Sequence, residues 1–334
     1  MRDKLINILK IAISVGLIAW IFSRVNLAEV GRQLASANLW LVGAALVLYL
    51  LAITVNGVKW QLLLRAQGVH VPFRALLEFL FIGFFFNNFL PANVGGDVMR
   101  GYGLARYTDR TADAAVSVIV DRIIGLIAYM STAAVAAIVA VNVTGRADLQ
   151  QVEWVAVVAL LALGLGFAVL LSRRLRALIA RVFAWRWLAP LAPLWGKLSD
   201  AFNAYRFRYR ALALAFGVAL VGIACTTFVN WCLSQAMGGL MPLTAIFMFN
   251  PLIALVLMIP VSIGGLGVNQ TAYPFFYGLA GVPTDHALAV SLLMQAVIIL
   301  GSLPGGVFWL RGKRGNVSTP TTSSPSKSAA RRSR

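Results

Sequence analysis

The chain alternates long apolar runs with short polar breaks. Runs of about twenty apolar residues, the length that crosses a hydrocarbon core, fit residues 5–22, 39–58, 114–142, 153–171, 210–236 and 287–310. Two further apolar stretches, 76–106 and 244–280, are interrupted at their middles. The interruptions are near copies, Leu90-Pro91-Ala92-Asn93-Val94-Gly95-Gly96 and Ile259-Pro260-Val261-Ser262-Ile263-Gly264-Gly265. Proline lacks the backbone N–H and glycine lacks side-chain support, so neither continues a helix well. The arms around each break are too short to span, and each stretch reads as a re-entrant hairpin. Broken backbone at membrane depth survives only where protein or a water-filled cavity surrounds it. Paired breaks in two halves of a chain point to a transport site. The predicted fold is an all-α polytopic membrane protein with about six full spans plus two re-entrant broken hairpins in an inverted-repeat arrangement.

Composition supports that class. Of 334 residues, 60% are hydrophobic and 12% charged, and the mean hydropathy is +0.82. A soluble globular domain does not have this balance. A net charge of +18 would suggest nucleic acid in a soluble protein. Here the basic residues lie between apolar runs, so topology and anionic lipid account for them, and no nucleic-acid partner is expected.

Their distribution is uneven. Arg2, Lys4, Lys59, Arg65, Arg74, Arg106 and Arg110 fall on one side, with the nine basic residues from Arg173 to Arg210 and the seven from Arg311 onward. Arg24, Arg32 and Arg146 fall on the other. The positive-inside rule then puts both termini in the cytoplasm; the expected location is a bacterial-type plasma (inner) membrane. The hairpins enter from opposite faces. An eight-span alternative would leave the basic segment 172–210 outside, which the same rule opposes. Arg2 and Lys4 precede the first run, but Ala35-Ser36-Ala37 lies too far beyond it to be a cleavage site, so that run reads as an uncleaved span.

Segment 172–210 interleaves basic residues with Trp185, Trp187, Trp195, Phe202, Tyr205, Phe207 and Tyr209. Between two spans this pattern marks an interfacial segment at the headgroups. Residues 1–310 form the predicted transmembrane domain and 311–334 a disordered basic cytoplasmic tail. Cys225 and Cys232 read as packing residues. His70 and His286 lack ligand-spaced companions, so neither a metal nor a cofactor is predicted.

Polar groups inside the apolar runs are the candidates for function, because an ionisable group at membrane depth is costly. Arg122 lies about 12–15 Å from the start of its helix, and Asp121 precedes it. Adjacent helical positions point about 100° apart, so each requires a partner elsewhere. Asp97 follows Gly95-Gly96 at the expected start of a returning helix, where it could cap free N–H groups. Arg100 follows one turn later. Asn87 and Asn88 precede the first break, and Ser262 and Asn269 flank the second. N–H groups at Gly95, Gly96, Gly264 and Gly265 could face an anion, with Arg100 and Arg122 adding formal charge. A structural ion pair remains the alternative for Arg122, and simple capping for Asp97.

The run from Phe86 to Arg100, with Asp97 after Gly95-Gly96, resembles the signature of the lysylphosphatidylglycerol synthase transmembrane family. Ala114-Ala115-Val116-Ser117 through Asp121-Arg122-Ile123-Ile124-Gly125 is similar to its next block. Ile259 to Gly267 resembles the third, and Ser302-Leu303-Pro304-Gly305-Gly306 the closing one. The resemblance implies a membrane domain that moves lipid between leaflets. In the multiple peptide resistance factor that lipid is aminoacylated phosphatidylglycerol. Other relatives are linked to polyprenyl- or dolichyl-phosphate sugars. The expected partner is therefore an anionic phospholipid, an aminoacylated lipid or a lipid-linked precursor. The bifunctional synthases carry a soluble aminoacyl-transfer domain that this sequence does not show, so lysyl transfer is not expected. The alternatives are a membrane enzyme with Asp97 or Asp121 as base, and a scaffold for a separate synthase or glycosyltransferase.

Overall fold

A computed structural model describes residues 27–90, 94–144, 150–182, 192–258, 262 and 264–314. The expected first span at 5–22, Arg146 and the tail from 315 lie outside the described residues. Within them the chain is helical throughout. The helices are α1 (Leu27–Ala35), α2 (Leu39–Ala66), α3 (Phe73–Asn87), α4 (Val94–Thr108), α5 (Thr111–Thr144) and α6 (Gln150–Leu171). They continue as α7 (Arg173–Val182), α8 (Ala192–Asn203), α9 (Tyr209–Gln235), α10 (Leu243–Met258), α11 (Val268–Gly278) and α12 (Thr284–Arg314).

Among the described residues, four helical segments are long and apolar enough to cross a membrane: Leu39–Ala66, Thr111–Ala136, Tyr209–Gln235 and Thr284–Arg311. Their outward faces carry aliphatic side chains such as Val47, Leu214 and Leu310, all more than half exposed. Such surfaces suit lipid rather than water. Helix α2 begins where Asn38 accepts a hydrogen bond from the Trp40 N–H at 3.0 Å. The Asn38 N–H in turn donates to Ala236 O at 2.9 Å, which ties the start of α2 to the end of α9. Leu63 and Leu212 share a core cluster near the opposite ends of these helices, so the pair runs antiparallel.

Both interrupted stretches fold back on themselves. In the first, Gly83 faces Gly96 and Arg100, while Phe79 faces Gly103 and Tyr107. In the second, Leu257 meets Gly265, and the Phe249 ring lies 6.0 Å from that of Tyr277. The two tips meet: the Gly264 N–H donates to Leu90 O at 3.4 Å. Helix α12 backs both hairpins. Its first half contributes Ala287, Val290 and Met294 to the core around Phe249 and Tyr277. Its second half meets α3, where a Cβ on Gly305 would overlap the Phe81 carbonyl.

The glycines serve different ends in the two breaks, although their sequences match. Gly96 lies inside α4 and lets it approach α3, since a Cβ there would strike the Gly83 carbonyl. Gly264 and Gly265 have φ of +60° and +74°, a left-handed turn that other residues adopt reluctantly. The repeat is therefore less symmetric in backbone than its sequence suggests.

The basic segment has an internal anchor. Arg176 on α7 is buried and donates to Ser199 Oγ at 3.1 Å and to Asn203 Oδ1 on α8. Phe202 and Tyr205 pack with Leu63 and Val116, and the Tyr205 hydroxyl donates to Leu63 O at 3.1 Å. Burial raises the Tyr205 phenol well above its ordinary pKa, so the hydroxyl remains a donor.

Candidate functional site

Lys59, Asp121, Arg100, Asp97 and Arg122 form a continuous chain of alternating charge. Lys59 Nζ lies 3.1 Å from Asp121 Oδ1, and Arg100 Nη2 lies 2.8 Å from Asp121 Oδ2. Arg100 Nε donates to Asp97 Oδ1 at 2.9 Å. The other Asp97 oxygen accepts from Arg122 Nε. Every carboxylate oxygen in the chain thus faces a cation. Three helices supply the groups: Lys59 from α2, Asp97 and Arg100 from α4, and Asp121 and Arg122 from α5.

Local packing fixes the geometry. The Arg100 guanidinium carbon sits 5.0 Å from the centroid of the Trp60 ring, a cation–π arrangement. Trp60 is held by its Nε1–H, which donates to Ser117 Oγ at 3.1 Å, and Ser117 donates to Ala114 O at 2.8 Å. Asn87 Oδ1 accepts from the Gly96 N–H at 2.7 Å, joining the arms of the first hairpin beside Asp97.

The charges line a cavity of about 290 Å³ between the two hairpins. Arg122 is the most open of the five, with 32% of its side chain exposed. The same cavity is also lined by uncharged polar residues, Thr226, Asn230, Asn250, Asn269 and Tyr273. There the Tyr273 hydroxyl donates to Asn230 Oδ1 at 2.7 Å.

The cavity brings together Asn87, Gly96, Asp97, Arg100, Asp121, Arg122 and Asn269. Others lie at the hairpin tips. Asn88 Nδ2 donates to Ser302 Oγ at 2.8 Å, Ser262 is buried, and Gly264 packs against the Asn88 carbonyl. Gly95 packs on the Leu90 side chain. Asp97 does not cap α4. It lies in the first turn after Val94, and the two arginines occupy its oxygens.

Lys59 is a larger departure. Its position just past an apolar run suggests a loop charge, but α2 continues to Ala66 and buries it. Asn230, Asn250 and Tyr273 were also missed; their signal was a neutral polar residue inside an apolar run. Among the described residues no group of His, Cys, Asp and Glu is arranged to hold a metal ion.

Fold and site together define a polytopic helical membrane protein with an ionised cavity bounded by two broken hairpins. A family model for the lysylphosphatidylglycerol synthase TM region matches residues 7–305, and the chain belongs to that family. A UPF0104 membrane protein of Pyrococcus horikoshii is 22% identical over 304 residues, spanning 85% of this chain and 90% of that protein. A UPF0104 membrane protein of Methanothermobacter thermautotrophicus is 25% identical over 295 residues, spanning 80% and 84% respectively.

Proposed function

We propose that this protein moves an anionic lipid, or a lipid-linked precursor, between the leaflets of a bacterial-type inner membrane. The observation that carries this reading is the charge inventory of the cavity. Among the described residues, three cations at the site, Lys59, Arg100 and Arg122, meet two carboxylates, Asp97 and Asp121, an excess of one positive charge. Uncompensated charge inside a membrane protein is expensive, and a phosphate in the cavity would balance it. A family named for lysylphosphatidylglycerol synthase fits a lipid phosphate.

In this reading the hairpins are re-entrant and oppose each other across the midplane as an inverted repeat. Six full spans surround them, and both termini and segment 172–210 face the cytoplasm. Tip-to-tip contact at Leu90 and Gly264 supports that arrangement, and the lysine and arginine distribution supports the orientation. The membrane-enzyme alternative is weaker, because a general base needs a carboxylate oxygen turned toward substrate. Here all four face cations.

The test is reconstitution into vesicles carrying fluorescent short-chain phosphatidylglycerol and fluorescent polyprenyl phosphate, with dithionite quenching from outside. The protein is expected to expose the inner-leaflet pool of at least one probe, and Arg122→Ala to slow it. Quenching no faster than in protein-free vesicles, for both probes, would overturn the proposal.

A further inference from the structure

We infer that the uncharged polar lining of the cavity is a headgroup subsite for a neutral, hydroxyl-bearing group carried on the phosphate, and that it disfavours a cationic, aminoacylated headgroup. This rests on the proposal that the charged residues take a lipid phosphate.

The subsite is built from amides and a phenol. Asn230 accepts from Tyr273 at 2.7 Å. It donates to Thr226 O at 3.1 Å and to Asn250 Oδ1 at 3.4 Å, so its orientation is fixed. Asn269 completes the wall at 2% exposure. Its side-chain oxygen has no hydrogen-bond partner among the described residues, and Asn269 is one of the residues that line the cavity. A buried acceptor left unpaired is costly unless a ligand supplies the donor.

A hydroxyl is the matching donor, because it both gives and accepts hydrogen bonds as amides do. An ammonium would need a carboxylate in this low-dielectric setting. Among the described residues that line the cavity none is available: residues 243–278 contain no acidic residue, and the oxygens of Asp97 and Asp121 are all engaged by cations. The net positive charge next door opposes an ammonium further. Size narrows the class. A cavity of about 290 Å³ sits at the lower edge of the roughly 300–1,000 Å³ range of small-molecule sites, which suits a glycerol or a single sugar rather than an oligosaccharide.

The experiment measures retention in detergent by native mass spectrometry and transfer in vesicles with the same four lipids. These are phosphatidic acid, phosphatidylglycerol, a monoglycosyl polyprenyl phosphate and lysylphosphatidylglycerol. The protein is expected to retain one of the two hydroxylated lipids about three- to tenfold better than phosphatidic acid, the worth of a neutral hydrogen bond, and better than the lysyl lipid. Which of the two is preferred identifies the source of the headgroup. Asn269→Leu should erase the advantage over phosphatidic acid. Asn269→Asp, of nearly the same shape, should shift retention toward the lysyl lipid. Preferred retention of lysylphosphatidylglycerol by the unaltered protein would overturn the inference, as would retention of all four lipids unchanged by both substitutions. Selective retention without transfer would leave the subsite standing and overturn translocation.

Discussion

Lys59 and Asp121 meet at 3.1 Å from different helices, each with less than a tenth of its side chain exposed. The two ends of this pair are not equivalent. Asp121 also holds Arg100 at 2.8 Å, whereas Lys59 has Asp121 as its only partner among the described residues. Asp121→Asn therefore strands a buried ammonium, for an expected loss of about 3–5 kcal/mol. Lys59→Met leaves Asp121 still paired and should cost less, about 1–3 kcal/mol. Thermal unfolding of both variants in detergent checks the order; a larger loss for Lys59→Met would contradict it.

Arg122 should separate function from stability. Its side chain is the most exposed of the five charges, and Asp97 keeps Arg100 when Arg122 is removed. Arg122→Ala is expected to slow lipid transfer about 10- to 100-fold, the worth of a charged hydrogen bond. Its melting behaviour should stay within about 1 kcal/mol of the parent. Arg146→Ala, at a position expected in an aqueous loop, should leave transfer unchanged. Equal transfer by the two variants at matched reconstitution would remove Arg122 from the site.

Close approach of α12 to the first hairpin gives a third expectation. A Cβ at Gly305 would overlap backbone atoms of Phe81 and Ile82, which cannot swing aside. Gly305→Ala should cost about 1–3 kcal/mol. Gly43 lies on an exposed face with nothing within 4 Å of an added Cβ, so Gly43→Ala should stay within about 0.5 kcal/mol. Chemical denaturation of the pair reads the difference.

Topology can be tested at Phe207, which is 71% exposed within the basic segment. In a background where Cys225 and Cys232 are alanine, Phe207→Cys should react with an impermeant thiol reagent only after the membrane is opened. Reaction in intact cells would reverse the assigned orientation.

The two helix breaks were legible because proline and glycine disrupt helices by local chemistry. Asp121 and Arg122 stood out because charge inside an apolar run has a known cost, and the partners that each requires are Lys59 and Arg100 for Asp121 and Asp97 for Arg122. Lys59 itself was not legible. A lysine at the edge of an apolar run reads as a boundary, and only the carboxylate on α5 shows that the helix carries it inward. Asn230 and Asn250 escaped for another reason. A neutral amide carries no formal charge that demands a partner, and the significance of Asn230 arises when the fold sets it opposite Tyr273. Asn269 was noticed because it adjoins a break. The two glycine pairs were indistinguishable in sequence, since tight packing and a left-handed turn both demand the missing Cβ.

The second hairpin, from Leu243 to Gly278, contains no lysine, arginine, aspartate or glutamate. Among the described residues, the five charged groups that line the cavity all belong to α2, α4 and α5. A rearrangement of this hairpin against the rest of the protein would therefore carry no formal charge of its own through the electric field. The membrane potential, which does about 2.3 kcal/mol of work per elementary charge per 100 mV, would act on such a step only through the charge of whatever occupies the cavity. Turnover limited by that movement would be electrically silent when the cavity is empty and voltage-dependent when it holds an anion.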